Sequence, residues 1–259
     1  MSEASAQCLN CDAPLLGRYC AQCGQDHRRA RLQTRTILSD WLDSAFNFEA
    51  TFWTTFRGML RHPGQTAREY VDGRRKQHFH PFRYLLLTLL LYAAFLFLTG
   101  LKPTDVSSDL QPAHPTMKQN EFMTAYFGWV NRNFNFIMSS VIPVMALVLR
   151  FLFRASGLNY AEAMVLCSYV QGHSTVVITP LMLGGQHLFG ISSLWGMLAS
   201  LIYQSWAIRG FYRTSWWKAV GAYLLSFTSW LMIFMFLLTL SLVGFIIWAG
   251  GPDRVFGAR

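Results

Sequence analysis

The chain has 259 residues, of which 53% are hydrophobic and 14% charged, against about 25% charged in an ordinary soluble domain. Twenty of the charged side chains lie before Tyr84, so the remaining two-thirds is charge-poor; this argues against a single soluble globule and for an integral membrane protein with a polar front. The net charge of +9 is clustered at Arg28-Arg29-Ala30-Arg31, at Arg74-Arg75-Lys76 and between Arg209 and Lys218, each beside an apolar run, so anionic lipid headgroups, not nucleic acid, are the expected counterpart.

The opening residues, MSEASAQC, are polar and no apolar stretch follows them, so no cleavable signal peptide is expected. Residues 1–26 then hold four of the five cysteines as C-x2-C-x8-C-x2-C: Cys8, Cys11, Cys20 and Cys23. Two CxxC turns, each offering a pair of thiolates, suit one tetrahedral Zn²⁺ ion. Gly24 follows the last ligand, where such a turn favours positive φ; Asp12, after the first pair, tolerates that conformation less readily. A piece this short has no hydrophobic core, so metal binding would supply its folding energy. Two disulfides are disfavoured on a reducing face, and no thioredoxin-like frame surrounds a redox CxxC. All four ligand positions are filled by protein, which makes the expected ion structural.

Residues 27–80 read as a basic linker followed by amphipathic helices. Leu38, Trp41, Leu42, Ala45, Phe46, Phe52, Trp53, Phe56, Met59 and Leu60 recur at three- and four-residue steps, interrupted by Glu49. Pro63-Gly64 ends this stretch, a second short helix runs from Gln65 to Asp72, and Asn47-Phe48 marks a break between two halves. The aromatic stripe, with Trp41, Phe46, Phe52, Trp53 and Phe56, either lies in the membrane interface or packs on the protein's own spans. His78, His80 and Arg83 in "HFHPFRY" stand at the mouth of the first span, as interfacial anchors or as ligands for metal or lipid phosphate.

Residues 81–259 form the expected transmembrane domain, with spans at about 82–101, 134–153, 161–183, 188–208 and 219–249, each near the roughly 20 residues a helix needs to cross. Arg74, Arg75, Lys76 and Arg83, then Arg150 and Arg154, then Arg209, Arg213 and Lys218 fall on one side, so the N-terminus is cytoplasmic and the C-terminus periplasmic. Gly184-Gly185-Gln186-His187 is the expected turn between spans three and four. Gln171 and His173, with Glu162 at the entry, are polar candidates within the third span: a relay or substrate contact, or interhelical hydrogen bonds with Gly172 allowing close approach.

"CLNC…RYCAQCGQ", Pro63-Gly64, Tyr70, Gly73-Arg74-Arg75-Lys76 and His80-Pro81-Phe82-Arg83 together resemble the bacterial membrane family catalogued as domain of unknown function 3667. The resemblance covers residues 8 to about 90. It implies a zinc-ribbon-tailed multi-span inner-membrane protein and carries no activity with it.

The expectation is an all-α polytopic membrane protein with a zinc-ribbon tail and no catalytic residues. Its tail and amphipathic helix would dock a protein partner or organise lipid at the cytoplasmic surface, with Arg74, Arg75, Lys76 and Arg83 meeting phosphates. The alternative is a small transporter or channel subunit using Gln171, His173 and Glu162, which with five spans would need to oligomerise. A third reading is a lipid-modifying enzyme with His78 or His80 as acid or base.

Overall fold

Among the described residues, prolines open three α-helices and glycines close two. The computed structural model describes residues 7–15, 17–26, 48–100, 140–190 and 192–248. Among them the helices are α1 (Phe48–Arg61), α2 (Pro63–Val71), α3 (Pro81–Thr99), α4 (Val141–Leu152), α5 (Tyr160–His173), α6 (Thr179–Phe189), α7 (Ser193–Tyr212) and α8 (Trp216–Trp248). Proline occupies the first turn of α2, α3 and α6, where a missing N–H leaves no bond unmade. Gly100 and Gly190 cap α3 and α6 with φ of 68° and 62°, the left-handed stop that glycine adopts without a steric cost. The start of α5 is a capping box. Asn159 accepts from the Glu162 N–H at 2.9 Å, and the Glu162 carboxylate accepts from the Asn159 N–H at 2.8 Å.

Helix α5 is the hub. It packs against α1, α2, α3, α4 and α7, and from Ala161 to Val170 every residue but Met164 is buried. A helix enclosed by protein has no need of a lipid-soluble face. Among the described residues two other helices, Pro81–Thr99 and Trp216–Gly244, are long and apolar enough to cross a membrane, by length and composition.

Three expected boundaries are corrected. The turn at Gly184–His187 is absent: those residues lie in α6, which continues to Phe189. Glycine inside a helix costs only about 1 kcal/mol relative to alanine, which packing of α6 on α7 offsets, and it is Gly190 that has the positive φ required for a stop. The helix at the place of the fourth expected span therefore begins at Ser193 and runs to Tyr212. At the place of the third, helical structure runs from Tyr160 through a π turn, Ser174–Ile178, to Phe189. Pro180 has no N–H to give the preceding turn, and the helix widens just before it. The last apolar run is one uninterrupted helix of 33 residues. The start of the second expected span, and the linker carrying Trp41 and Phe46, lie outside the described residues.

Helices α1 and α2 form a hairpin that enters the core alongside the longer helices. Phe52 and Met59 are buried. Phe52 packs its ring 5.9 Å from Phe79 and 5.8 Å from Tyr84. Gly64 makes the α2–α7 crossing possible: a Cβ there would lie 2.3 Å from the Ala207 carbonyl oxygen and 2.4 Å from the Phe211 nitrogen. Arg68 completes this contact with its guanidinium over the Phe211 ring, 5.9 Å from its centre.

Candidate metal centre and buried polar core

The cysteine segment folds as two equivalent turns. In the first, the Asp12 N–H donates to the Cys8 carbonyl and the Cys8 N–H to the Ala13 carbonyl, both at 2.9 Å. In the second, the Gly24 N–H donates to the Cys20 carbonyl at 2.9 Å and the Cys20 N–H to the Gln25 carbonyl at 3.0 Å. Asp12 and Gly24 hold matching left-handed conformations, φ 59° and 70°. Aspartate is thus the equivalent of glycine here, one of the few side chains that tolerates αL.

The two turns face each other. Cys8 Sγ lies 3.6 Å from Cys23 Sγ and Cys11 Sγ 3.5 Å from Cys20 Sγ, and all four sulfurs fall within 4.8 Å of one another. A bonded pair would sit at about 2.05 Å. Metal–sulfur bonds of about 2.3 Å in a tetrahedron put sulfurs about 3.8 Å apart, so the four thiols can hold one metal ion. The Cys23 backbone N–H, followed by that of Gln22, lowers Cys20 to about 6 against the desolvation that would raise it. Desolvation instead pushes Cys23 up. An all-sulfur, four-coordinate centre leaves no open position for a substrate.

The cage is not a free tail. Gln25 Nε2 donates to the Gly73 carbonyl at 2.7 Å, the Lys76 N–H to Asn10 Oδ1 at 3.2 Å, and Gln77 Nε2 to the Asn10 carbonyl at 2.9 Å. Leu9 lies against Gly73, whose φ of 116° and lack of a Cβ permit the approach. The docking surface is therefore the basic segment between α2 and α3. Arg74 and Lys76 are exposed on it, and Arg75 and Arg83 are half-buried.

The same segment carries both histidines inward. His78 Nε2 pairs with Glu69 Oε2 at 3.0 Å, and burial lowers the imidazole below its usual range against the opposing pull of Glu69. His80, edge-on to Tyr70, is depressed to about 4 by burial and then by Arg83. Between them the Phe79 N–H donates to Thr55 Oγ1 at 2.7 Å, and its carbonyl accepts from the Tyr169 hydroxyl. The two imidazoles do not converge on a shared metal site among the described residues.

His173 ends α5 deep in the core at 1% exposure. Its Nδ1 is hydrogen-bonded to the Tyr84 hydroxyl at 2.7 Å, and Phe56 and Tyr203 cover the ring at 5.0 and 5.6 Å. Gln171 points elsewhere, into a cavity between helices. Glu162 serves the α5 cap. The structure thus separates the three polar residues that the sequence grouped. Of the aromatic stripe, Phe52 faces protein, Phe56 packs on it from the edge, and Trp53 remains 55% exposed.

Sequence reasoning missed Glu69, Tyr84, Asn10 and Gln25. Asn159-Tyr-Ala-Glu162 could have been read as a capping box from its spacing alone. The others had no local signal, since each meets its partner only through the tertiary fold.

No curated protein and no solved structure matches the chain. Residues 49–93, which comprise most of α1, all of α2, the basic docking segment with its histidines and most of α3, match the model of the family described as a protein of unknown function (DUF3667), the family that the sequence motifs resemble.

Proposed function

We propose that this is a non-enzymatic inner-membrane protein that organises anionic lipid at the cytoplasmic surface. Its zinc-locked cage holds a basic platform, Arg74, Arg75, Lys76 and Arg83, at the mouth of the first of five spans. One observation carries the reading: Gln25, Asn10 and Leu9 fasten the cage to Gly73–Gln77. A structural ion then acts on the shape of the platform and not on chemistry.

The five-span layout is supported by the arrangement of charge. The start of α3, the ends of α4 and α7, and the starts of α5 and α8 carry or adjoin Arg83, Arg150, Arg154, Arg209, Arg213 and Lys218, as the positive-inside rule requires of one face. Large apolar side chains stand exposed on α3 and α8, among them Leu90, Phe97, Met232 and Phe236, a surface suited to lipid chains and unsuited to water.

The test is lipid analysis of the full-length protein purified in native-membrane discs. Wild type should retain one zinc per chain and an excess of phosphatidylglycerol over bulk membrane. An Asn10→Ala/Gln25→Ala double variant keeps every metal ligand and should lose the excess. Equal lipid profiles would sink the lipid role, and a protein crosslinked to the platform in wild type alone would replace it with partner docking.

The transport alternative keeps support from Gln171 and less from His173, which aromatic rings cover on three sides. Solute flux in liposomes that Gln171→Leu abolishes would establish it. A lipid-modifying enzyme has less support still, because His78 and His80 are buried against neighbouring side chains.

A further inference from the structure

A cavity of about 290 Å³ lies between α4, the α5–α6 helix with its π turn, α7 and α8. It sits at the small end of ligand pockets, which run from roughly 300 to 1,000 Å³. At about 30 Å³ per water-sized group it has room for a chain of about eight to ten atoms.

Among the described residues its lining has no Asp, Glu, Lys, Arg or His. A charge entering such a low-dielectric space would find no counter-charge and no water shell. The polar side chains that line it, among them Gln171, Ser174, Ser200 and Gln204, are neutral. Ser174 is more than nine-tenths buried and its hydroxyl finds no partner among the described residues. Gln204 is 6% exposed. Buried hydroxyls are ordinarily satisfied; this one is left unpaired in the cavity wall.

The wall itself is irregular at the same place. The π turn starts at Ser174, and such turns gather at functional sites. Thr175 and Thr179 turn their hydroxyls back onto the Gln171 and Ser174 carbonyls, whereas the Ser174 hydroxyl makes no such bond. Met182 and Met197 provide adaptable, polarisable apolar contacts on the other side.

We propose that this cavity binds an uncharged amphiphile: a short apolar chain bearing one neutral hydrogen-bonding head, such as a hydroxyl or ester. The head would meet Ser174 and Gln204, and the chain the methionines. The occupant is either a bilayer lipid that inserts its ester region or a free molecule partitioning from the membrane. Neither source depends on the cysteine cage.

The experiment uses the full-length protein in lipid nanodiscs and a ten-carbon alcohol carrying a diazirine, photolysed and mapped by peptide mass spectrometry. Adducts should concentrate on residues 171–182 and 196–204. Decanol should displace them at a concentration at least tenfold lower than decanoate or decyltrimethylammonium. Ser200→Leu fills the space and should cut cavity adducts at least fivefold. Gln204→Met, which keeps the volume and removes the hydrogen-bonding amide, should weaken decanol competition and controls for misfolding, with melting temperature measured on both variants. Adduct yield that rises when the protein is delipidated assigns the occupant to the bilayer, and an unchanged yield assigns it to a free amphiphile. Labelling spread over the exposed faces of α3 and α8 with no excess at the cavity, or equal displacement by charged chains, overturns the proposal.

Discussion

Tyr84 and His173 are 89 residues apart and form one of the deepest polar contacts in the core. Tyr84→Phe keeps the ring and strands a buried imidazole nitrogen, which costs about 1–3 kcal/mol. The expected result is a lower melting temperature in detergent with helix content retained. Glycines divide by what faces them. Gly64→Val drives a side chain into the backbone of α7 on the far side of a 2.3 Å gap, and neither backbone can yield without parting the helices. It should cost at least the upper end of the usual 1–3 kcal/mol for overpacking and release α2 to protease. Gly221 in α8 faces open space, so Gly221→Ala should leave the melting temperature unchanged or raise it slightly. The sequence marked Gly172 as a place of close approach, and a Cβ there would lie 2.7 Å from Thr88 Oγ1. It gave no comparable hint for Gly64, whose neighbour Pro63 reads simply as a helix boundary.

At the scale of elements, the cage and its docking segment act as a joint. Each neutral hydrogen bond contributes about 1 kcal/mol net, so removing the Asn10 and Gln25 side-chain bonds should loosen docking while leaving metal content intact. Trypsin should then cut at Arg74 or Lys76 faster than in wild type, at equal zinc per chain. The same segment should respond to acid. The folded protein holds His80 near 4, below the usual 6.5, through burial and then Arg83, and His78 is shifted the same way. The unfolded chain therefore takes up protons first as pH falls. This contribution to stability is full above about 6.5 and is lost as pH drops from 6.5 toward 4. Proteolysis of the segment should accelerate over that interval. His80→Phe should flatten the response, while release of metal from the cysteines at low pH remains common to both proteins. The amphipathic stripe showed in the sequence that α1 is a helix with an apolar face. Whether that face met lipid or protein was undecidable there, because Phe52 and Trp53 are equally apolar and the fold buries one and exposes the other.

For the whole molecule, α8 has 33 residues, about 50 Å at 1.5 Å per residue, against a hydrocarbon core of about 30 Å. Crossing the bilayer as proposed, it would tilt or project beyond the core, and Trp216, Trp217 and Lys218 at its start suit an interfacial position. Alkaline phosphatase, active only outside the cytoplasm, should be active when fused after Gly190 and inactive after Gly157 or Thr214. Activity at Gly157 would reverse the proposed topology.

Sequence alone determined that the chain is helical and apolar, that its cysteines group in two short turns, and that a long apolar helix starts at about Pro81. These are local facts, set by spacing and by backbone preferences within one turn. Tertiary structure decided the rest. It made α5 the enclosed centre, carried the helix past Gly184-Gly185 to Gly190, pinned the cage on Gly73–Gln77 and sent Gln171 and His173 to different surroundings. Each of these depends on partners tens of residues away, whose contacts leave no periodicity in the chain.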